Sequence, residues 1–187
     1  MAATITNRRF TADEYQRMVR AGILREGDPV ELIDGQVVVM HSFGPRHNAC
    51  VAHANRALVR GVGDEAIVLP QGSVRLDLFY EPEPDLVLLR PRPDFYASRH
   101  AGPTEILLVI EIADSSLEYD REVKAPVYAA AGIPEYWLVD LNDNVVWRYR
   151  SPQRGAYGSV EPYRRGQSIA TQLFPSCAIA VDVLLTE

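Results

Sequence analysis

The chain has 187 residues, 47% of them apolar and 24% charged, and its formal net charge at pH 7 is −6. These values predict one globular domain over residues 1–187, and they argue mildly against a surface coated with basic groups for nucleic acid. No apolar run approaches the roughly 18 residues that span a bilayer, and residues 1–10 lack the apolar stretch of a signal peptide, so we expect a soluble cytoplasmic protein without membrane contact.

The N-terminal part of the chain predicts a helix followed by a β-hairpin. Thr11 and Glu14 form a capping-box pattern ahead of a stretch with helical character. The pair Asp34-Gly35 then separates two apolar arms in VELIDGQVVVM, which is a strong signal for a two-residue hairpin. Glu31 lies in the first arm of that hairpin.

The middle of the chain predicts a second helix and several strands. Residues 44–62 carry apolar side chains near helical spacing. Two short strands are expected on either side of residues 70–72, Pro-Gln-Gly. Asp85 directly precedes the apolar run 86–89, and residues 91–103 are rich in proline and arginine, which is typical of a loop.

The segment EILLVIEIA, which contains Glu111, is the most hydrophobic in the chain and is expected to be the central strand of a sheet. A helix that stops at Gly132 and a strand from Tyr136 follow. NDNVVWRYR then predicts a turn and an antiparallel strand, and SIATQLFPSCAIAVDVLL predicts a strand or two at the end. This order of elements predicts an α/β fold with a mixed β-sheet flanked by helices.

Three acidic residues border these strong apolar runs, namely Glu31, Asp85 and Glu111. An isolated carboxylate in a core is costly, and it is usually protonated or paired with a cation. If the three side chains converge, their hard oxygen atoms suit Mg²⁺ or Mn²⁺. Taken singly, each also has an ordinary structural interpretation as a strand-end, turn or solvated hairpin acid.

The chain contains 19 lysine and arginine residues, and Lys124 is the only lysine among them. Arginine is planar and permanently charged, whereas lysine is a compact point charge, so Lys124 marks either chance or a position where a guanidinium does not fit. The four histidines do not show the i, i+4 spacing of a helical metal-ligand pair, so a histidine metal site is disfavoured. They are His41, His47, His53 and His100.

The segments VELIDGQVVVM, PEPDLVLL and LLVIEIADSSLEYDREVKAPVYAAAGIPEYWLVD, in this order, resemble the Uma-type restriction-endonuclease family of the PD-(D/E)XK nuclease superfamily. The resemblance runs from FTADEYQRM to about Tyr149. It implies a restriction-endonuclease-like fold and a Mg²⁺- or Mn²⁺-dependent endonuclease that hydrolyses phosphodiester bonds in DNA. It also implies a possible homodimer, because two strands require two cuts.

By this resemblance, Asp85 matches the first acid of the superfamily signature and Glu111 the second. The signature lysine two positions further on is absent, because Ala113 stands there, and Lys124 matches a lysine that has moved to the following helix. Glu31 matches an N-terminal acid that joins the metal cluster. The resemblance thus implies metal binding by these three acids and catalysis by all four residues.

Two departures keep other interpretations open. The first is Ala113, which stands where the signature has its lysine. The second is Pro126, which kinks the helix and turns Lys124 away if the helix begins near Asp120, and is tolerated in the first turn if the helix begins nearer Val123. A weakened catalytic centre would leave a module that binds nucleic acid or a protein. A phosphodiesterase acting on small nucleotides is a third possibility, which a narrow pocket without a basic groove would favour. His47 matches a position that is often histidine in the family and is a candidate for substrate contact.

Overall fold

A six-stranded mixed sheet organises the fold. The computed structural model describes residues 7–25, 27–40 and 44–185. The strands of this sheet, in their spatial order, are β3 (Ile67–Pro70), β4 (Leu86–Leu89), β5 (Ile106–Ala113), β6 (Glu135–Asp140), β7 (Val145–Gln153) and β8 (Ala156–Arg164). β5 and β6 are parallel, and all other neighbours are antiparallel.

The prediction that EILLVIEIA forms the central strand is confirmed. β5 is third of six, and all eight of its residues are buried, as expected for a strand covered on both faces. Alternate side chains of β5 enter two different clusters: Ile110 and Ile112 lie in one, and Val109 and Ala113 in the other. Because side chains alternate along a strand, Glu111 shares the face of Val109 and Ala113.

Helices cover both faces of the sheet, as predicted. The helices are α1 (Ala12–Arg20), α2 (Pro45–Val62), α3 (Leu117–Tyr119), α4 (Ala125–Ala130) and α5 (Val181–Leu184). α2 contributes Ala54 and Leu58 to the cluster that holds Ile110, and α4 contributes Tyr128 to the cluster that holds Val109. A π-helical turn, Asp120–Lys124, joins α3 to α4, and short 3₁₀ turns lie at Gly63–Glu65 and Pro103–Glu105.

Two small antiparallel pairs lie outside the main sheet. They are β1 (Val30–Ile33) with β2 (Gln36–Val39) and β9 (Ser168–Ala170) with β10 (Ala178–Ala180). The hairpin predicted at Asp34-Gly35 is present, and both residues have positive φ, 51° and 71°, as a type I′ turn requires. The capping box predicted for α1 is also present, with Thr11 and Glu14 in the expected roles.

The second strand predicted after residues 70–72 does not form. The backbone N–H groups of Val74 and Arg75 donate to Pro82 and Ala101 respectively, at 3.0 and 2.9 Å. Successive donors therefore serve two different segments, so no ladder with a single partner develops, and only an isolated bridge between Val74 and Ala101 remains. Within the described ranges, no helix has the length and apolar character needed to cross a membrane.

Gly61 permits the close approach of α2 to the segment before β10. A Cβ atom at this position would overlap Sγ of Cys177 and lie 2.9 Å from its Cβ. We expect Gly61→Ala to lower the free energy of unfolding by about 1–3 kcal/mol through overpacking, although alanine is the better helix former. Denaturant unfolding measures this change.

The partner substitution Cys177→Ala removes the nearer obstacle. The loss in the double variant Gly61→Ala/Cys177→Ala should be smaller than the sum of the losses in the two single variants. A Gly61→Ala protein that is more stable than the native one would show that the two segments are not in tight contact.

Candidate active site

The four residues singled out by the sequence line one cavity of about 260 Å³. Glu31, Asp85, Glu111 and Lys124 are each no more than 5% exposed. The side chains lie far apart along the chain, and the fold brings them together. The expected spatial convergence of the three acids with the lysine is therefore present in the structure.

Strand pairing brings the acids into proximity. Asp85 directly precedes β4, and the antiparallel pairing of Leu86 with Ile110 places it beside Glu111 on β5. The backbone N–H of Asp85 lies 3.4 Å from Oε2 of Glu111. β1 supplies Glu31. The next residue in this strand, Leu32, forms an isolated β-bridge with Glu81. Oε2 of Glu31 accepts a hydrogen bond from the backbone N–H of Glu83 at 3.2 Å.

Lys124 forms ion pairs with two of the three acids. Its Nζ lies 3.0 Å from Oε1 of Glu111 and 3.2 Å from Oε2 of Glu31. Burial lowers the pKa of Lys124, but these two carboxylates and that of Asp120 outweigh burial and raise the pKa above its ordinary range. The amine therefore stays protonated, as a fixed positive charge at the centre of the acids.

Pro126 does not turn Lys124 away from the acids, because the helix changes its geometry in the turn before the proline. Proline lacks an N–H and its ring excludes the carbonyl four residues earlier. The chain is helical from Leu117 onward, so Pro126 lies within a helical run, and the turn directly before it is widened to π geometry, with the N–H of Ala125 donating to the carbonyl of Asp120. Lys124, at the end of this turn, points toward Glu111 rather than away from it.

Tyr128 is a residue whose role the sequence does not reveal. The pattern predicts a core or helix-packing aromatic, and the ring is fully buried in the cluster under β5. Its hydroxyl also donates to Oε1 of Glu111 at 2.6 Å, the same oxygen atom that Lys124 contacts. Asp120, Lys124 and Tyr128 follow one another at spacings of four, which is the signal that could have linked them.

His47 lies against Asp85 on the other side of the cavity. Its Nε2 is 3.0 Å from both carboxylate oxygens of Asp85, and Oδ2 of Asp85 also accepts the N–H of Ile112 at 2.8 Å. Burial lowers the pKa of His47, but its hydrogen bond to Asp85 and the charge of that carboxylate outweigh burial and raise the pKa. His47 is therefore a neighbour of the proposed first acid.

Of the other histidines, His41 lies outside the described residues. His53 is on the exposed side of α2, and Nε2 of His100 is 3.7 Å from Oε1 of Glu81, away from the cavity.

The cavity holds a surplus of acidic groups. Three further acids that sequence reasoning did not assign to the site line it, namely Glu83, Asp114 and Asp120. Six described carboxyl groups therefore face one ammonium group and one histidine. Burial raises the pKa of Glu111 and that of Asp120, because the cavity alone stabilises their ionised forms poorly. An additional cation would offset this cost.

The donor chemistry of the cavity fits a hard divalent ion. Mg²⁺ is commonly held by one or two carboxylates, with waters and a substrate phosphate as the remaining ligands, and Asp85 and Glu111 adjoin each other at the cavity wall. Among the described residues, no group of three or more His, Cys, Asp or Glu side chains has the geometry to hold an ion by itself. Glu31 is drawn toward Lys124 and Tyr119, whose hydroxyl donates to it at 3.3 Å.

Comparison with solved structures and comparison with protein families both give matches. The chain superposes on the crystal structure of "a putative nuclease belonging to DUF820" from Anabaena variabilis ATCC 29413 with a TM-score of 0.72. The sequences are 18% identical, and the match covers 94% of this chain and 97% of that one, so it shows a shared fold. The comparison with curated proteins gives no match.

The family match confirms the resemblance seen in the sequence. The model of the Uma2 family, described as "Putative restriction endonuclease", matches residues 12–182. Nearly all of the chain is included, together with the whole cavity, and the chain therefore belongs to the Uma2 family.

Proposed function

We propose that this protein is a Mg²⁺- or Mn²⁺-dependent endonuclease that hydrolyses phosphodiester bonds in DNA. The observation that carries the proposal is the convergence of Glu31, Asp85 and Glu111 on one cavity with the buried ammonium group of Lys124. Membership of a family described as "Putative restriction endonuclease" supports the class of reaction. Because a duplex has two strands, we expect a homodimer to supply two such sites.

Asp85 and Glu111 would hold the metal ion. Glu31 would become the third ligand if a bound ion drew it away from Lys124 and Tyr119. A divalent ion bound there supplies Lewis acidity toward a phosphoryl oxygen and a water of lowered pKa. The residues around the acids restrict their orientation, because His47 and the N–H of Ile112 contact Asp85, and Tyr128 contacts Glu111. Each carboxylate is thereby fixed before substrate arrives.

Lys124 would orient the attacking water and offset the charge that develops on the phosphoryl oxygens. An ammonium group has three N–H donors, and two of them are directed to Glu31 and Glu111. Oδ1 of Asp120 lies 4.0 Å from Nζ, beyond hydrogen-bond distance, so the third N–H would donate to water or to a phosphate oxygen in the cavity. Water attacks phosphorus in line with the bond to the 3′ oxygen and loses a proton to solvent. The 3′ oxygen leaves with the electron pair of the broken bond and takes up a proton from solvent.

A second candidate function is a binding module with a weakened catalytic centre. Lys124 engages two of the three proposed metal ligands, and Ala113 stands where the superfamily signature has its lysine. In the binding-module case, calorimetric titration with Mn²⁺ would give weak binding or none. A third candidate, a phosphodiesterase for small nucleotides, is favoured by the fact that no arginine is among the described residues lining the cavity.

The first test is cleavage with and without metal. We expect the purified protein to cut DNA in Mg²⁺ or Mn²⁺ and to be inactive in EDTA. Asp85→Ala should lower the cleavage rate by about 100-fold or more, because a proposed metal ligand is lost. Asp64→Asn, which alters an exposed carboxylate beyond the end of α2, is the matched control.

DNA, RNA and a dinucleotide are offered as separate substrates, so that the small-nucleotide alternative is tested in the same assay. Absence of cutting with every substrate and both metals would refute hydrolysis. Unchanged cutting by Asp85→Ala would refute the site.

The role of Lys124 predicts a separation of catalysis from metal binding. Lys124→Met should lower the cleavage rate by about 100-fold or more. It should leave Mn²⁺ affinity equal or stronger, because a positive charge next to the ligands is removed. Lys124→Arg should also be impaired, since a planar guanidinium does not fit a site built for a compact ammonium. A Lys124→Met protein that cuts within tenfold of the native rate would exclude the proposed role.

The hydroxyl of Tyr128 predicts a role in orienting Glu111. Tyr128→Phe should weaken Mn²⁺ affinity about 10- to 100-fold, which is the usual effect of losing a hydrogen bond to a metal ligand. Tyr157→Phe is the control, because its hydroxyl donates to the carbonyl of Ile133 at 3.1 Å and its ring packs against the same buried cluster. Equal Mn²⁺ affinities for the two variants would show that Tyr128 is only a packing residue.

A further inference from the structure

α2 differs in charge from the rest of this acidic protein. Its 18 residues include three arginines, two histidines and no aspartate or glutamate. Arg56 and Arg60 are exposed, and within the described part of the chain neither forms an ion pair with a carboxylate. The helix therefore presents uncompensated positive charge to solvent.

Many other arginines are already neutralised by neighbouring acids. The arginines with a carboxylate partner include Arg8, Arg9, Arg75, Arg92, Arg99, Arg148, Arg150 and Arg165. An arginine with such a partner offers little net charge to an external anion. Arg56 and Arg60 therefore keep their charge available to an external anion, in a chain of net charge −6.

The exposed basic side chains of α2 share one side of the helix. Cys50, Ala54 and Leu58 define the buried side. With about 100° between successive residues, the exposed basic residues fall within an arc of about 60° that faces away from the buried side. We call this surface the α2 basic face, and it consists of His53, Arg56 and Arg60. Arg46 is not part of it, because its guanidinium donates to the carbonyl of Leu141.

The α2 basic face leads away from the cavity. Gly44 and His47, at the start of α2, line the cavity, and the helix rises about 20 Å from His47 to Arg60 at 1.5 Å per residue. That length corresponds to about six successive phosphates along one strand of a duplex. The N-terminal end of the helix, which carries partial positive charge, lies at the cavity.

The acidic lining of the cavity favours a separate surface for binding a polyanion. The acids that line the cavity repel a polyanion, and Lys124 is already paired with two of them. We propose that the α2 basic face binds the phosphodiester backbone of a nucleic acid and directs it toward the cavity. The inference rests on the proposed function in naming a nucleic acid as the partner. It concerns binding and does not depend on hydrolysis.

Fluorescence anisotropy with labelled duplex and single-stranded DNA, in EDTA and over a range of salt concentrations, tests the inference. The double variant Arg56→Gln/Arg60→Gln should bind about tenfold more weakly at low salt. The slope of log K against log salt concentration should fall by about 2, because each lost phosphate contact contributes about 0.9. Base sequence should not change the loss, since contacts to phosphate carry no sequence information.

Two further variants serve as controls. Arg154→Gln/Arg164→Gln removes the same charge from exposed arginines at the β8 edge of the sheet, and it should bind like the native protein. Arg56→Lys/Arg60→Lys keeps the charge and should keep most of the affinity. Circular dichroism shows whether Arg56→Gln/Arg60→Gln folds. If it does not, Arg56→Lys/Arg60→Lys and the single variant Arg56→Glu are compared instead. Arg56→Glu should weaken binding at least tenfold.

The outcomes separate this inference from the proposed hydrolysis. Native binding that depends on Arg56 and Arg60, without cutting in any metal, supports the α2 basic face and refutes the nuclease. Cutting by the native protein, with equal binding by both glutamine variants, supports the nuclease and overturns the α2 basic face. A native protein that binds no DNA at low salt overturns it as well.

Discussion

The site depends on the contact between the ammonium group of Lys124 and the carboxylate of Glu111. It joins the central strand to the following helical segment, and through Glu31 it also reaches the hairpin β1–β2, which lies outside the main sheet. Removing such charges from water is expensive, and a buried ion pair contributes less to stability than its short distances suggest. What the contact provides is a fixed arrangement: three separate parts of the chain meet around one positive charge.

Much of the fold is readable from the sequence, because the strongest local signals coincide with the most buried elements. β5 contains the most hydrophobic segment of the chain, so its central place follows from burial on both faces. The capping box and the hairpin turn each depend on two residues and a local backbone shape. β8 gives no comparable signal, since Gly158 and Pro162 weaken a strand pattern, although both are tolerated in a strand at the edge of a sheet.

The site is less readable, and the reason is geometric. Sequence patterns and resemblance to a family identify which acids border buried strands, but they do not give the direction of a side chain on a helix. Whether Pro126 turns Lys124 away depends on a π turn that apolar periodicity cannot show. Apolar periodicity identifies Tyr128 as a buried aromatic residue. It does not show whether the hydroxyl donates to a carboxylate, because the spacing along the helix is the same in both cases. Nothing in the sequence indicates that Glu83 and Asp120 line the cavity, because only the folded chain brings them there.

The π turn has a consequence for how the lysine is held. In the superfamily signature the lysine lies on the strand itself, where pairing with neighbouring strands fixes its direction. In this chain the direction of the amine depends on the rotational phase of a helix, and a π turn contains one residue more than the α turn it replaces. Loss of a single residue between 120 and 124 would rotate everything after it by about 100°. The position of the ammonium group is therefore encoded in the length of one turn as much as in the identity of the residue.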